Sequence, residues 1–309
     1  MISFVNAKIN IGLQIVGRRE DGYHNLQTFF YPVGLYAGTP VNPVSFCDIL
    51  EIRETSENKT GDEKFRINFS GRELNCPMEK NLVYKASKLY FDTYVEDSFR
   101  AEIYLEKHLP DQAGMGGGSA DAGFTLRLLR DLHAEFVKHN VEGSKKDKLT
   151  VSDDELCRLA LKLGADCPFF IYNRPAFATG IGEKLQPIDL DLSGLWLLVV
   201  KPNVSISTRE AFAGVSPAQS DVDLRTIRRD NISEWKQFVK NDFEASFFAK
   251  YPEMAEIKSM FYDKGALYAS MTGSGSCFYA IFEKFEKAYK ASKDFEVIPT
   301  ISATYLLKL

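Results

Sequence analysis

The segment LPDQAGMGGGSADAG, at positions 109–123, holds five glycines directly before an apolar pattern with helical spacing. Glycine inside regular structure costs about 0.5–1 kcal/mol relative to alanine, so a run of glycines needs a physical reason. One interpretation is a tight turn or a surface loop. The other is a loop whose backbone N–H groups, together with the start of the next helix, bind phosphate oxygens. This segment alone leaves both interpretations open.

The spacing excludes three well-known nucleotide-binding motifs. Ser119 follows Gly118 directly, without the lysine of a Walker A loop. The glycines of GMGGGS do not follow the G-x-G-x-x-G pattern, and the chain before them is not a first βαβ unit. The H-R-D and D-F-G motifs of protein kinases are absent from the sequence.

A lysine and an asparagine near the N-terminus form a second candidate site. In the stretch NAKINIGLQI, apolar and polar residues alternate, which predicts a half-buried strand. Lys8 and Asn10 then project from the face opposite the isoleucines. A lysine on the polar face of a strand is usually a solvated charge. A polar site is the alternative, because Asn10 shares the face.

The stretch GRREDGYH and the residues after it form a third candidate. Asp21-Gly22 is a strong turn signal, so a simple hairpin explains the stretch. Tyr23, His24 and nearby Phe30 could instead form an aromatic, hydrogen-bonding site for a planar base.

Two further stretches come later in the chain. Asp166, in GADCPFF, sits just past a predicted helix and before an apolar run that we interpret as a strand. It is either a turn-forming residue or a carboxylate that accepts a hydroxyl proton beside a lysine. In MTGSGSCFY, the glycines allow either a tight turn or a close approach of backbone to phosphate.

Hydrophobic periodicity predicts the elements that position these residues, and Ser152 with Glu155 has the spacing of a capping box. We expect strands over 9–15, 26–33, 47–53, 64–70, 100–110, 168–173, 176–180, 195–202, 266–273, 277–282 and 297–309. We expect helices over 81–94, 124–136, 154–163, 233–249 and 253–264. The polar connection over 138–154 is expected to be a variable surface segment. The order of elements indicates an α+β protein with two lobes.

Composition narrows the class of protein. The 309 residues carry a formal net charge of −4, which argues against a nucleic-acid binder driven by bulk electrostatics. No apolar run approaches the roughly 20 residues that span a bilayer, and the N-terminus does not resemble a signal peptide. We therefore expect a cytoplasmic protein without a membrane partner. The five scattered cysteines predict reduced thiols, and the histidines show no metal-binding spacing.

Taken in order, AKIN, PDQAGMGGGSADAG and MTGSGSCF resemble the three motifs of the GHMP kinases, a family of small-molecule kinases. GRREDGYHNLQT and GADCPFFI…AFATGIGE resemble the branch that acts on a cytidine diphosphate sugar alcohol. The resemblance covers nearly the whole chain. It implies a two-lobe α+β GHMP kinase fold, with an N-terminal α/β lobe over 1–160 and a C-terminal ferredoxin-like lobe over 161–309. The active site is then expected in the cleft between the lobes.

The resemblance also implies a reaction. ATP, with Mg²⁺, would donate its γ-phosphoryl group to a tertiary hydroxyl of a cytidylated methylerythritol in the non-mevalonate isoprenoid pathway. Asp166 matches the catalytic aspartate that takes the hydroxyl proton, and Lys8 matches the lysine beside it. That lysine would hold the aspartate ionised and stabilise charge in the transition state. Positioning and charge neutralisation dominate such transfers.

The resemblance assigns binding roles to further residues. The ATP-binding set is Asn81, Leu82, Lys107, Pro110, Asp111, Gln112, Ala113, Gly114, Met115, Gly116, Gly117, Gly118, Ser119 and Ala120. The substrate-binding set is Asn10, Tyr23, His24, Phe30, Thr208 and Phe212. The third motif contributes Gly273, Ser274 and Gly275. The resemblance leaves the metal ligands unknown and is compatible with a monomer or a homodimer.

The glycine loop departs from the family pattern at three positions. Ala113 disfavours a positive φ, Ala120 lacks a hydroxyl for phosphate, and Asp121 puts a carboxylate near a phosphate site unless it caps the helix. Two alternatives to the assigned function remain. A homoserine or mevalonate type of GHMP kinase would have no evident use for Tyr23 and His24. A non-catalytic ligand-binding member would have no need of the base and its lysine.

Overall fold

The computed structural model describes residues 1–34, 46–55, 64–73, 76–96, 98–140, 151–217 and 222–309. Within these ranges the chain forms eleven β-strands and nine α-helices. Two compact units share them: the first contains Met1–Asn6, Cys47–Leu109 and Gly117–Asn173, and the second Ala7–Phe46, Pro110–Gly116 and Arg174–Leu309. Because these units interleave along the chain, they do not test the lobe boundary between residues 160 and 161, which stays a prediction.

The first unit contains a sheet with helices α1 to α4. Strands β3 (Cys47–Glu54), β4 (Phe65–Gly71) and β5 (Ala101–Lys107) join the first residues of β1 (Ile2–Arg18) in the order β4-β5-β3-β1. Only the β4–β5 pair is parallel among these neighbours. The helices are α1 (Leu82–Tyr94), α2 (Gly117–Asn140), α3 (Asp153–Leu161) and α4 (Cys167–Tyr172).

Local signals explain where two of these helices begin. Asn81 caps α1, because its side chain accepts a hydrogen bond from the Val83 backbone N–H at 2.8 Å. Ser152 caps α3, and the reciprocal bonds between Ser152 and Glu155 complete the capping box that the sequence predicts. Both boundaries could therefore be derived from short-range chemistry alone.

The second unit contains two antiparallel sheets. The rest of β1 pairs with β2 (His24–Val33), followed by β6 (Ala176–Thr179) and β7 (Lys184–Pro187). The other sheet has the order β11-β8-β10-β9. Its strands are β8 (Trp196–Pro202), β9 (Tyr268–Met271), β10 (Phe278–Phe282) and β11 (Ile301–Lys308). The helices are α5 (Thr208–Ala213), α6 (Trp235–Phe238), α7 (Phe243–Lys250), α8 (Glu253–Asp263) and α9 (Phe285–Glu296).

The buried apolar face of the second sheet forms the main core of this unit. Leu198, Val200 and Ala280 lie in it with no exposed surface, and Phe247 and Phe261 pack there from α7 and α8. Burying a side chain of this size stabilises the fold by about 1.5–3 kcal/mol. The unbroken apolar run of β8 follows from this position at the centre of the sheet.

Most predicted elements are confirmed. The structure has strands at each predicted site except 168–173, and helices at each predicted helical site. The sequence analysis missed β7, α5 and α9. The interpretation of β1 as half-buried was wrong, because every residue from Val5 to Ile15 is buried.

The strand expected over residues 168–173 is wrong, since this stretch is helix α4. Its apolar side chains are buried almost without exception, and a uniformly apolar run of six residues has no period that separates a strand from a helix. Pro168 stands at the start of the helix, where a proline is tolerated, and Asn173 ends it in the left-handed conformation with a φ of 48°.

The single helix expected over residues 233–249 is interrupted. Helices α6 and α7 are separated between Val239 and Asp242. The Asn241 side chain in this break donates to the backbone carbonyls of Met271 and Gly273, both at 2.8 Å. These partners lie about thirty residues further along the chain, so local spacing carries no sign of the break.

The polar connection expected over residues 138–154 lies partly outside the described residues, which omit 141–150. Across the described part of the chain, no helix combines the length and apolar character that crossing a membrane requires.

Candidate active site

The start of α2 in the first unit has the features of an anion site. Helix α2 begins at Gly117, and the first N–H groups of a helix have no partner within it. A Cβ at Gly117 would come no closer than 3.6 Å to Leu109, and one at Gly118 would meet Leu82 at 3.6 Å. These are ordinary van der Waals distances, and the N–H groups at a helix start favour an anion such as a phosphate.

The predicted adenine segment lies beside this helix start. Leu82, the first residue of α1, is the nearest neighbour that a Cβ on Gly118 would meet. Asn81 lines a cavity of about 280 Å³ within the same unit. The other lining residues are Phe69, Ser70, Gly71, Arg72, Glu73, Cys76 and Met78. The structure thus brings the predicted adenine residues and the second half of the predicted phosphate loop together.

The sequence predicts that Lys107 lies near the nucleotide. In the structure its side chain forms ion pairs with two carboxylates. Its side chain is 3% exposed, and Nζ donates to Asp48 Oδ2 and, at 2.7 Å, to Asp121 Oδ2. Burial alone would lower the pKa of Lys107, but the charges of Asp121 and Asp48 raise it above the ordinary value. Asp121 does not cap α2, because it lies four residues inside the helix.

Asp166 occupies the position before α4. Its side chain does not cap that helix, and its backbone is helical with φ −81° and ψ −17°. The next residue, Cys167, is buried and interacts with the Ser119 side chain, and burial raises the pKa of its thiol to about 12. A Cβ on Gly123 would lie 2.7 Å from Phe170 Cβ, so α4 packs closely on α2. The first unit therefore holds the predicted base near the predicted loop residue Ser119.

Lys8 and Asn10 form a buried polar group in the second unit. Lys8 is 3% exposed, its Nζ donates to Asn10 Oδ1 at 2.5 Å, and Nζ lies 4.7 Å from the centre of the Phe30 ring. Asn10 in turn donates through Nδ2 to Thr28 Oγ1 at 3.1 Å. The Lys8 backbone N–H donates to the Met115 carbonyl at 3.0 Å, which connects β1 to the predicted phosphate loop.

The two glycine-rich turns pack on each other within the second unit. Thr272 Oγ1 donates to the Gly114 carbonyl at 3.1 Å, and the Cys277 N–H donates to the Ala113 carbonyl at 3.3 Å. Positive φ angles occur at Gln112, Gly114 and Gly116, with values of 48°, 71° and 72°. The departure at Ala113 is therefore harmless, because the positive φ falls on its neighbours.

The predicted cytidine residues fall into two groups in the second unit. The His24 and Phe212 rings stack with centroids 5.1 Å apart and planes 18° apart, while Tyr23 beside them in the chain is 60% exposed. Thr208 Oγ1 lies 3.4 Å from Ser274 Oγ. Phe30 is buried under Lys8 instead, which follows from its register opposite Asn10 in the β1–β2 pair.

Sequence reasoning missed Asp48, Thr28 and Thr272, all of which hold site residues in place. Asp48 is 59 positions from Lys107, and Thr272 is 262 positions from Asn10, whose backbone N–H donates to it. Such contacts depend on strand register, and no local spacing marks them. Across the described ranges, no group of three His, Cys, Asp or Glu side chains is arranged to hold a metal ion.

Two family models match this chain. The model described as the GHMP kinases N-terminal domain covers residues 81–174, and the GHMP kinases C-terminal model covers residues 224–296. A solved homoserine kinase from Cytophaga hutchinsonii shares the fold, with a TM-score of 0.67 at 18% identity over 98% of this chain and 94% of that one. These matches define the class of protein, a small-molecule kinase of the GHMP type.

More similar proteins narrow the class. A 4-diphosphocytidyl-2-C-methyl-D-erythritol kinase from Bacteroides fragilis is 45% identical, with 96% of each chain covered. One from Bacteroides thetaiotaomicron is 44% identical, with 92% of each covered. A crystal structure of 4-(cytidine 5'-diphospho)-2C-methyl-D-erythritol kinase has a TM-score of 0.76 at 28% identity over the full length of both chains.

The chain belongs to the GHMP kinases and, within them, to the family of the 4-diphosphocytidyl-2-C-methyl-D-erythritol kinases. The resemblance seen in the sequence motifs is thereby confirmed, as are the GHMP kinase fold and the kinase class. GHMP kinases are ATP-dependent, so ATP as the phosphoryl donor agrees with the prediction.

Proposed function

We propose that this enzyme transfers the γ-phosphoryl group of ATP to the 2-hydroxyl of 4-diphosphocytidyl-2-C-methyl-D-erythritol. The products are ADP and the 2-phosphate, and the reaction belongs to the non-mevalonate route to isopentenyl diphosphate. Relatives up to 45% identical are kinases named for this substrate, which supports the proposal. The enzyme works in the cytoplasm on dissolved small molecules, as a monomer or a homodimer.

The observation that carries the proposal is the burial of Lys8 on β1. Taking an ammonium group out of water is costly unless its surroundings compensate, and the surroundings of Lys8 include the Asn10 amide oxygen and the Phe30 ring. Phosphoryl transfer uses a fixed positive charge, because negative charge spreads over the transferring group. Lys8 therefore stabilises the transition state.

Asp166 is the proposed proton acceptor. The attacking hydroxyl loses a proton as its oxygen bonds to the γ-phosphorus, and a positioned carboxylate can take that proton. The side chain of Asp166 is not engaged in capping α4, and the α2–α4 packing fixes the backbone from which it projects. Asp166 thus has a defined position next to the helix start where we place the phosphates.

We place ATP in the first unit. The phosphates bind the N–H groups at the start of α2, because the first N–H groups of a helix have no partner within it and favour an anion. The adenine lies against Asn81 and Leu82, beside the cavity of about 280 Å³. Mg²⁺ enters with ATP and reduces the charge repulsion between its phosphates and the nucleophile. Lys107 supports this site through Asp48 and Asp121.

The cytidine end of the substrate is proposed to bind in the second unit. His24 and Phe212 present a stacked aromatic pair, Tyr23 is exposed beside it, and Thr208 and Ser274 supply hydroxyls. Aromatic faces favour a planar base, and the imidazole can hydrogen-bond its edge.

A coupled assay of ADP release with ATP, Mg²⁺ and the cytidylated substrate tests the assignment. Asp166→Asn should lower kcat by about 10²–10⁴-fold, the usual contribution of a general base. Lys8→Met should lower it by about 10²–10³-fold, as loss of one electrostatic contact to a transition state does. The exposed residues Asp263 and Lys290 provide matched controls, Asp263→Asn and Lys290→Met, which should retain activity.

Each failure has a distinct meaning. Turnover that survives in Asp166→Asn removes this residue as the base but keeps the substrate. Turnover of homoserine or mevalonate, with none of the cytidylated substrate, shows that Tyr23 and His24 were misinterpreted.

A further inference from the structure

Two buried carboxylates share one ammonium group behind the start of α2. Asp48 from β3 and Asp121 from α2 both accept from Lys107 Nζ, and all three side chains are at most 5% exposed. If all three were ionised, the cluster would carry an excess negative charge in the protein interior. An uncompensated buried charge is costly, and a group in this situation tends to be neutralised by a proton.

The two carboxylates differ in their remaining contacts. Asp48 Oδ1 accepts from the backbone N–H groups of His108 and Leu109, at 2.6 and 2.9 Å, so both of its oxygens face donors. Asp121 Oδ1 is buried and has no hydrogen-bond partner among the described residues. The proton of the cluster therefore belongs on Asp121. Burial, with the nearby charge of Asp48, raises the pKa of Asp121 to about 8 although Lys107 opposes the shift.

Asp121 lies one helical turn from the proposed phosphate site. Helix α2 begins at Gly117, and Asp121 is four residues further along, on the same side of the helix. Phosphates bound at the helix start bring several negative charges close to the cluster. Like charges at short range in a protein interior disfavour the ionised form of a carboxyl group.

We propose that binding of the nucleotide phosphates at the start of α2 draws a proton from solvent onto Asp121. ATP binding above neutral pH is then coupled to proton uptake by a side chain that does not contact the substrate. This inference rests on the proposed function, because it takes ATP as the occupant of the site. Asp121 acts here as a positioning residue with a variable charge.

The groups that face Asp121 support this assignment. Lys107 from β5 and Asp48 from β3 are the charged groups that act on it. Helix α1 presents Leu82 at the start of α2, and α4 presents Phe170 at Gly123. Cys167, at the start of α4, stays a neutral thiol across this pH range because burial raises its pKa to about 12.

Isothermal titration of the magnesium complex of a non-hydrolysable ATP analogue tests the proposal. Binding enthalpies measured in buffers of different ionisation enthalpy give the number of protons taken up. At about pH 8 the wild type should take up about half a proton per nucleotide, and at about pH 6 almost none. Asp121→Asn should bind the analogue with no uptake at either pH. The exposed carboxylate Asp131, on the same helix, gives the control Asp131→Asn, which should behave as the wild type.

Binding without proton uptake in the wild type at pH 8 overturns this inference and leaves the proposed function intact. Proton uptake that persists in Asp121→Asn also overturns this inference and leaves the proposed function intact. A lack of any nucleotide binding by the wild type contradicts the proposed function itself. If Asp121→Asn fails to fold, the wild-type Kd decides: it should rise by up to about tenfold per pH unit above pH 8, and a flat profile refutes the proposal.

Discussion

Lys107 in the first unit and Lys201 in the second are both buried, but their charges are stabilised in opposite ways. Lys107 Nζ lies between Asp48 and Asp121. Lys201, 8% exposed at the end of β8, donates to neutral oxygens: the carbonyls of Pro202 and Val204, both at 3.0 Å, and Ser276 Oγ at 2.9 Å. Among the described residues, no carboxylate forms a salt bridge with it.

The difference has a physical consequence. Burial lowers the pKa of both lysines, but the two carboxylates reverse this for Lys107 and leave its pKa raised, whereas that of Lys201 stays lowered. An ion pair makes each partner dependent on the other, since removing one leaves an uncompensated buried charge. Carbonyl and hydroxyl oxygens carry no such penalty. Removing Lys107 should therefore destabilise the fold more than removing Lys201 does.

Lys107→Met should give the largest effect. It leaves the buried Asp48 without its counter-charge beside the protonated Asp121, and breaking a buried pair in this way costs about 3–5 kcal/mol. Chemical denaturation at neutral pH measures the loss in free energy of unfolding. Lys88→Met, which removes an exposed lysine paired with Asp92 on α1, is the matched control and should unfold at the wild-type midpoint. A loss below about 1 kcal/mol for Lys107→Met would mean that the cluster is not a strong ion pair.

Asp121→Asn should change the pH dependence of stability. The folded pKa of Asp121, about 8, lies above the unfolded value, so the native state holds a proton that the unfolded chain releases. Wild-type stability should thus fall as the pH rises from about 4 to about 8. The variant lacks this slope and should gain about 3–4 kcal/mol relative to the wild type between pH 5 and 8. Parallel curves of unfolding free energy against pH for the two proteins would contradict the assignment.

Lys201→Met should have the smallest effect, about 1 kcal/mol. The carbonyl of Val204 still accepts from Ser276 Oγ at 2.6 Å, and the loss of a buried charge offsets part of the lost hydrogen bonds. Because the pKa of Lys201 is lowered, the deficit of the variant should widen as the pH approaches the unfolded value near 10.5. Thermal unfolding across that range measures it. If Lys201→Met lost as much free energy of unfolding as Lys107→Met, the proposed difference between the two lysine sites would be contradicted.

The sequence was sufficient to predict those elements that are marked by residues close together in the chain. Alternation in β1 and the capping box at Ser152 are signals within a few residues, and the strand and the helix start are confirmed, although the half-burial inferred for the strand was wrong. Motif chemistry likewise indicated the family before any contact was known. Helix α4 was misread because the run PFFIY is apolar throughout, and such a short run has no period that separates a strand from a helix.

Sequence reasoning could not predict contacts set by register. Lys107 meets Asp48 because Ile49 pairs with Glu106 across β3 and β5, and this register depends on the whole sheet. For the same reason, Asp121 was interpreted as a possible helix cap, although it is the partner of a lysine from a neighbouring strand. No residue close to Asp121 in the sequence indicates that Lys107 is its counter-ion.

The contact between the two glycine-rich turns has a consequence for how this family varies. A Cβ on Gly114 would lie 2.0 Å from the Thr272 carbonyl oxygen, and one on Gly273 would lie 2.8 Å from that of Gly114. A larger residue at either position cannot be compensated by a smaller residue at the other, because both are already glycine. We therefore expect no correlated substitutions at these two positions across homologues, although the two turns are in close contact. Transplanting either turn into another scaffold would require the other as well.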